Sequence, residues 1–275
     1  MKTVGLMEGS DQKHLTNRRM TNAIKCSFLL LITLCFPCFS LAQSTDSETK
    51  STYLGGTVTL TTNGTSTIPN LTLGRPAVMF AMSMGRKLRF EPEFRFAIDG
   101  KPWTFILWGR YELINTEKLR IRSGLNTAVN FKTVSATTSD FTDDILWARH
   151  ALTGDLAITY MITKNISLGP YYMYIYNFDR NITRNTHLIA LRSGFSNIRI
   201  SSEFFLRFNP QVYYLKMDEN GGIYFNSTLA LARRDFPLSV SALINKTIQT
   251  EIPLGDDFSW SLSLIYTFNK EFVEK

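Results

Sequence analysis

The sequence predicts an all-β fold, an antiparallel up-and-down β-barrel of about twelve strands, and two observations lead to this prediction. From Thr52 onward, apolar and polar residues alternate with period two in segments of roughly 10 to 14 residues, and no stretch shows convincing helical periodicity. The connections also alternate, with short turns at one end of the sheet and mostly longer loops at the other. An even number of strands with loops sorted in this way is typical of a closed barrel that crosses a membrane.

Each predicted strand is a segment in which this alternation persists. The clearest is the last, where six large apolar residues share one face and small polar residues dominate the other. In chain order the predicted strands are 51–61, 77–84, 88–98, 103–113, 119–133, 146–162, 166–177, 187–194, 198–216, 222–232, 236–249 and 258–268.

The beginning of the chain predicts a signal peptide over residues 1–42. An apolar run at 26–41 follows Lys25, and Ser40-Leu41-Ala42 forms the small-residue cleavage site, so the mature chain is expected to begin near Gln43. The run is shorter than the roughly 20 residues of a membrane-spanning helix, which disfavours an anchor. Met20 opens a signal peptide of ordinary proportions and is an alternative start. The remaining chain is then expected to divide into a periplasmic segment, the barrel and a C-terminal tail, at 43–50, 51–268 and 269–275.

The composition of the exported chain excludes several kinds of site. All three cysteines lie within the predicted signal peptide, so no disulfide framework, thiolate zinc site or cysteine nucleophile is expected. Only His150 and His187 remain as histidines, too few for a histidine-rich metal site. Removing residues 1–42 takes away five basic and two acidic side chains, which lowers the net charge from +7 to +4. We therefore expect no cofactor, no metal and no nucleic-acid partner.

The stretch LRFEPEFRF, residues 88–96, carries large apolar side chains on one face and only charged ones on the other. If 99–102 is a four-residue hairpin loop, Glu91 faces Arg110 and Arg89 faces Glu112 on the next strand. Opposite charges across a ladder stabilise by a few tenths to about 1 kcal/mol each. The pattern therefore predicts paired charges on one side of the sheet.

Further charged residues share this side and extend the cluster over neighbouring strands. We interpret the charged side as the barrel lumen and the apolar side as the lipid-facing surface, because in lipid only a closed barrel pairs every backbone group of an all-β chain. The alternative is a soluble β-domain whose charges face water. The predicted lumen-facing network is Arg89, Glu91, Glu93, Arg95, Arg110, Glu112, Arg120, Arg122, Glu203 and Arg207, with Lys132, Arg149, Asp155 and Arg192 on the same side.

Prolines are the main argument against this interpretation. Pro92, Pro170 and Pro210 lie inside three predicted strands, and a proline removes one hydrogen-bond donor from a ladder. All three strands run in the same direction in the predicted topology, so β-bulges at similar heights are one explanation.

The signal peptide, the cysteine-free exported chain, the alternating segments and the aromatic last strand resemble small, porin-like bacterial outer-membrane β-barrel proteins. The resemblance covers 51–268 and concerns architecture alone. It implies a location in the outer membrane, contact with its lipids, and the barrel-insertion machinery as a partner. One departure is that Phe268 does not end the chain, since NKEFVEK follows it; Phe272 is the candidate replacement as the insertion signal.

Three functions remain open at this stage. The favoured one is a passive channel for small solutes, with anionic solutes preferred because arginine and lysine outnumber acids on the inward side. The second is a closed structural or accessory barrel whose loops bind a partner. The third is a rim lipid hydrolase that uses His187, although Ser193 lies roughly 20 Å away along the same strand. We expect no enzyme and assign no catalytic residue.

Overall fold

The computed structural model describes residues 51–137, 142–180, 182–253 and 257–273. The predicted signal peptide and the 43–50 segment lie outside the described residues. The described chain contains one short 3-10 turn, Pro69–Leu71, and twelve strands. The strands are β1 (Ser51–Thr61), β2 (Ala77–Gly85), β3 (Leu88–Ala97), β4 (Pro102–Asn115), β5 (Leu119–Thr137), β6 (Thr142–Met161), β7 (Ile166–Asn177), β8 (Asn185–Arg199), β9 (Phe204–Met217), β10 (Asn220–Arg233), β11 (Leu238–Thr250) and β12 (Phe258–Val273).

The strands form a closed antiparallel barrel, as the alternation predicts. Each strand pairs with its neighbours in the sequence, and β1 closes the circle by pairing with β12. This is the up-and-down order, in which hydrogen-bonded edges disappear because the sheet meets itself. Among the described residues, no helix has the length and apolar character needed to cross a membrane.

The last strand is longer than the sequence predicts. β12 continues to Val273, so 269–273 belong to the barrel and not to a tail. These residues pair with the first residues of β1, with Ser51 opposite Val273 and Thr52 opposite Phe272. Phe272, the candidate replacement for the terminal aromatic residue, therefore lies within the closing ladder.

The turn between β8 and β9 differs from the prediction, which placed it at 195–197. Residues 195–199 continue β8 through an irregularity, and the chain reverses at 200–203. The Ser201 hydroxyl accepts hydrogen bonds from the backbone N–H groups of Glu203 and Phe204 and so stabilises this turn. A serine side chain that bonds its own backbone two or three residues on favours a turn over a strand.

The outer surface of the barrel is an apolar band. Phe90 and Phe94, from the stretch with alternating charges, expose 39% and 37% of their surface, and the outward residues of β12 are similarly exposed. Their charged neighbours are half-buried on the inside. This orientation agrees with the lipid-facing interpretation and disagrees with a soluble domain, in which the large apolar side chains would be covered.

The three strand prolines each leave a gap in one ladder without changing the register. In the described ladders, Pro92 has no partner on β2, Pro170 none on β6 and Pro210 none on β8, whereas each is paired with the following strand. The partnered positions on both sides of each gap keep the same register, so these are interruptions and not the bulges the sequence suggested. Because a proline lacks the backbone N–H, it loses its pairing with only one of its two neighbouring strands.

Candidate solute pathway

The charges of β3 and β4 form ion pairs, but in a register different from the predicted one. The hairpin is tighter than expected: Gly100, at φ +83°, donates to the carbonyl of Ala97, whose N–H bonds the carbonyl of Lys101. The ladder is therefore shifted by two residues, and Arg89 lies opposite Arg110. Because a shift of two preserves the face of every side chain, the charges still meet, now diagonally.

Arg110 is the centre of this cluster. Its guanidinium lies 2.9 Å from Glu91 and 2.7 Å from Asp155, whose side chain is fully buried. The Tyr171 hydroxyl donates to the same carboxylate at 3.1 Å. Gly124 makes this contact possible, because an added Cβ would lie 2.7 Å from the Asp155 carboxylate. Four strands thus supply the side chains of one buried, ion-paired group, and Gly124 on a fifth strand leaves room for it.

The other predicted residues fall into three groups. Arg95 and Glu93 pair with each other at 2.6 Å, and Arg89 approaches Glu112 at 3.9 Å. The structure places Arg120, Arg122 and Arg207 on the inward side near the short-turn end, outside this cluster. Glu203 differs from the prediction: it lies in the β8–β9 turn, where its carboxylate forms an exposed ion pair with Arg233.

The connection between β1 and β2, residues 62–76, folds into the barrel, which the sequence analysis did not predict. Three walls hold it by hydrogen bonds to its backbone carbonyls. The Trp103 indole donates to Leu71 at 3.0 Å, and the Tyr213 hydroxyl donates to Thr67 at 2.6 Å. The Asn245 amide donates to the same part of the loop at 3.4 Å. We call residues 62–76 the inner loop.

Apolar packing fixes the inner loop against one side of the lumen. Ile68, 4% exposed, belongs to a cluster of buried side chains that includes Leu188, Tyr213 and Leu215. Tyr213 also stacks on Tyr224, with ring centroids 5.2 Å apart. The inner loop and this cluster therefore fill part of the lumen, and the remaining space lies beside them.

Three cavities follow one another through the remaining space. The outer cavity, of about 750 Å³, opens at the long-loop end, and the inner cavity, of about 370 Å³, lies toward the short-turn end. The middle cavity, of about 290 Å³, shares Asn130 and Asn177 with the outer cavity, and Tyr171 and Arg192 with the inner one. The arrangement defines a candidate path past the inner loop.

Basic side chains line the outer cavity. Lys132 and Arg149, both on the predicted inward side, are joined there by two loop residues that the sequence analysis did not single out, Arg75 and Lys101. Arg75 pairs with Asp99 at 2.9 Å. A hydrogen bond from the backbone N–H of Lys101, together with the nearby Arg75 charge, lowers the pKa of the Asp99 carboxyl below its usual value. Among the described lining residues, none is acidic.

His187 lies on the outer surface of β8, away from the lumen. Its Nδ1 is 2.9 Å from the Tyr172 hydroxyl, and its ring is tilted against Tyr174 at 4.8 Å. Its register partners are Tyr174 and Lys216, and none of these three neighbours is a serine. This environment is typical of an aromatic girdle at a membrane interface, and it places no serine hydroxyl beside the imidazole at these positions.

Comparison with known proteins finds similarity in structure only. No protein-family model and no curated protein sequence matches the chain. A solved KdgM porin, in complex with disordered oligogalacturonate, matches with a TM-score of 0.50 at 10% identity, covering 78% of this chain and 99% of that one. The NanC porin matches with a TM-score of 0.45 at 13% identity, covering 80% and 100%. A loop-deletion form of OmpT from Vibrio cholerae matches at 0.41 and 9%, covering 80% and 99%.

These similarities concern the fold. The closed twelve-stranded sheet and its apolar outer band define the class: the chain folds as a transmembrane β-barrel, and it shares this fold with the KdgM porin. Within this class, the basic outer cavity and the inner loop are the features from which a function can be argued.

Proposed function

We propose that this protein is a passive channel for small solutes in the bacterial outer membrane and that it prefers anions. The observation that carries the proposal is the series of three cavities that share lining residues and that the inner loop helps to line. A barrel of twelve strands encloses more space than one of eight, in which side chains fill the interior. It encloses less space than the sixteen-stranded porins with open channels. The size of the middle cavity limits the path to small solutes.

The preference for anions rests on the two ends of the path. Lys132 and Arg149 line the outer cavity, and Arg122 and Arg192 line the inner one. The acidic network members Glu91, Glu93 and Asp155 each lie within ion-pair distance of an arginine. Basic residues at both ends therefore raise the local concentration of anions, while the middle is charge-compensated.

Reversal potentials in a salt gradient across a planar bilayer test this proposal. We expect anion preference in the unmodified protein and a clear shift toward cations in a Lys132→Gln/Arg149→Gln double variant. The matched control is Lys216→Gln/Lys246→Gln, which removes the same charge from the outward, exposed face. Cation preference in the unmodified protein, or equal shifts in both variants, would contradict the proposal.

The second candidate function is a closed structural barrel with partner-binding loops. The observation in its favour is the inner loop, which is tied to three walls. Single-channel recording separates the two: folded protein without conductance supports the closed barrel. Heat-modifiable migration on a gel establishes that the barrel is folded. Outer-membrane lipids as surroundings and the barrel-insertion machinery as a folding partner are expected under both candidates.

A further inference from the structure

We infer that the middle cavity is a binding site for small monocarboxylates with an apolar body, such as aromatic or branched aliphatic acids. That such acids permeate through the barrel rests on the proposed channel function. That they bind in the middle cavity rests on the side chains that line this cavity. The cavity combines an apolar surface that is not fully covered with one arginine that has no carboxylate partner.

The apolar surface belongs to side chains from two walls and from the inner loop. Leu71, Ile106 and Met173 line the middle cavity and remain partly exposed, although they pack against the buried cluster. Apolar side chains that keep accessible area inside a cavity gain free energy when a ligand covers that area, by about 25 cal/mol per Å². At these three side chains the hydroxyl groups of a polyhydroxylated solute would lose water without finding new partners, whereas the polar lining residues, such as Asn126 and Thr153, offer hydrogen bonds.

The arginine is Arg192 on β8. Its Nε donates to the Gln211 side chain at 3.0 Å, and its guanidinium carbon lies 3.2 Å from the centre of the Tyr171 ring. Within the described residues, no carboxylate lies within ion-pair distance of Arg192, whereas Arg95 and Arg110 each hold acidic partners. Stacking and one hydrogen bond hold the guanidinium in place and leave donors that fit a carboxylate.

The number of available cations and the volume determine the ligand class. Arg95 and Arg110 each hold carboxylates of their own, so among the described residues Arg192 is the lining arginine whose guanidinium has no direct carboxylate partner, which suits a ligand with one carboxylate. Phosphate esters or dicarboxylates would bring a second charge beside Glu93, which also lines the cavity. A volume of about 290 Å³ is at the lower end of the range for small-molecule sites, which suits a compact acid.

Benzoate and glucuronate are suitable probes, since both carry one negative charge and only benzoate has an apolar body. The refolded full-length protein is titrated with each by calorimetry in detergent, and the same acids are tested as blockers of chloride current in a bilayer. We expect benzoate to bind and block at concentrations about tenfold lower than glucuronate. Arg192→Gln and Met173→Gln should each reduce benzoate binding about tenfold, whereas Lys246→Gln on the outer face should not.

The two readouts distinguish failure of this inference from failure of the proposed function. Equal binding of benzoate and glucuronate, or benzoate binding that survives both lumen substitutions, would overturn the inference, even if the protein conducts anions. Calorimetric benzoate binding in a folded protein without conductance would support the site and reject the channel. Heat-modifiable migration of each variant establishes that its barrel is folded.

Discussion

The buried group around Arg110 gives the sharpest prediction about stability. Asp155→Asn removes a fully buried carboxylate that lies 2.7 Å from Arg110 and accepts a hydrogen bond from Tyr171. Removing one partner of a buried ion pair costs 3–5 kcal/mol in general. Here the cost should be smaller, about 2 kcal/mol, because Glu91 remains 2.9 Å from Arg110 and an amide oxygen still accepts from the tyrosine.

The measurement is equilibrium unfolding in urea with the barrel refolded in detergent, followed by heat-modifiable migration and tryptophan fluorescence. Glu203→Gln is the matched control, because it also removes an ion-paired carboxylate, but from a pair with Arg233 whose side chains are 56% and 50% exposed. The exposed pair should contribute less than about 0.5 kcal/mol. Equal losses of unfolding free energy in the two variants would refute the assignment of Arg110 as the centre of the network.

Two further predictions concern a glycine and a turn carboxylate. Gly124→Ala should lower the unfolding free energy by about 1–3 kcal/mol, because the added Cβ would lie 2.7 Å from the Asp155 carboxylate. Gly109→Ala is the control and should be close to neutral, since its nearest neighbour is 3.8 Å away. Equal losses of unfolding free energy in the two variants would contradict the crowding argument. The Asp99 carboxyl should titrate below its usual pKa of 3.8, since the backbone N–H of Lys101 binds its charged form. The stabilisation from the Asp99 carboxylate is therefore fully present above the pKa that Asp99 has in the unfolded chain. It is lost as the pH falls through the lower pKa that Asp99 has in the folded protein. An NMR titration midpoint of Asp99 at or above 3.8 would exclude the lowered pKa.

Most of the barrel wall follows from the alternation of side chains. A lipid-facing strand must be apolar on one side along its whole length, so the alternation of apolar and polar residues persists over many positions. For β1 and β7 the predicted bounds equal the observed ones. The ends are less predictable where turn chemistry competes. At the β8–β9 connection, the hydrogen bonds of the Ser201 hydroxyl determine where the chain turns. The alternation of apolar and polar residues gives no indication of such a side-chain hydrogen bond.

The candidate site was only partly predictable, for two physical reasons. The faces of Glu91 and Arg110 follow from parity, which a register shift of two residues leaves unchanged. The exact partners do not follow from parity, because they depend on the loop length at Gly100. The inner loop left only one trace in the sequence: Ile68 and Leu71 are apolar residues in a long connection that otherwise consists mainly of small polar residues.

The inner loop also has a mechanical consequence for the barrel. Its carbonyl groups bond to Trp103 on β4, Tyr213 on β9 and Asn245 on β11, so it connects distant parts of the circumference. A barrel whose strands are joined only by the hydrogen bonds between neighbours can flatten into an elliptical cross-section. A barrel with a segment bonded across its lumen resists that deformation. The segment that narrows the lumen therefore also maintains the cross-section of the wall, and shortening it to admit bulkier molecules would loosen the cylinder itself.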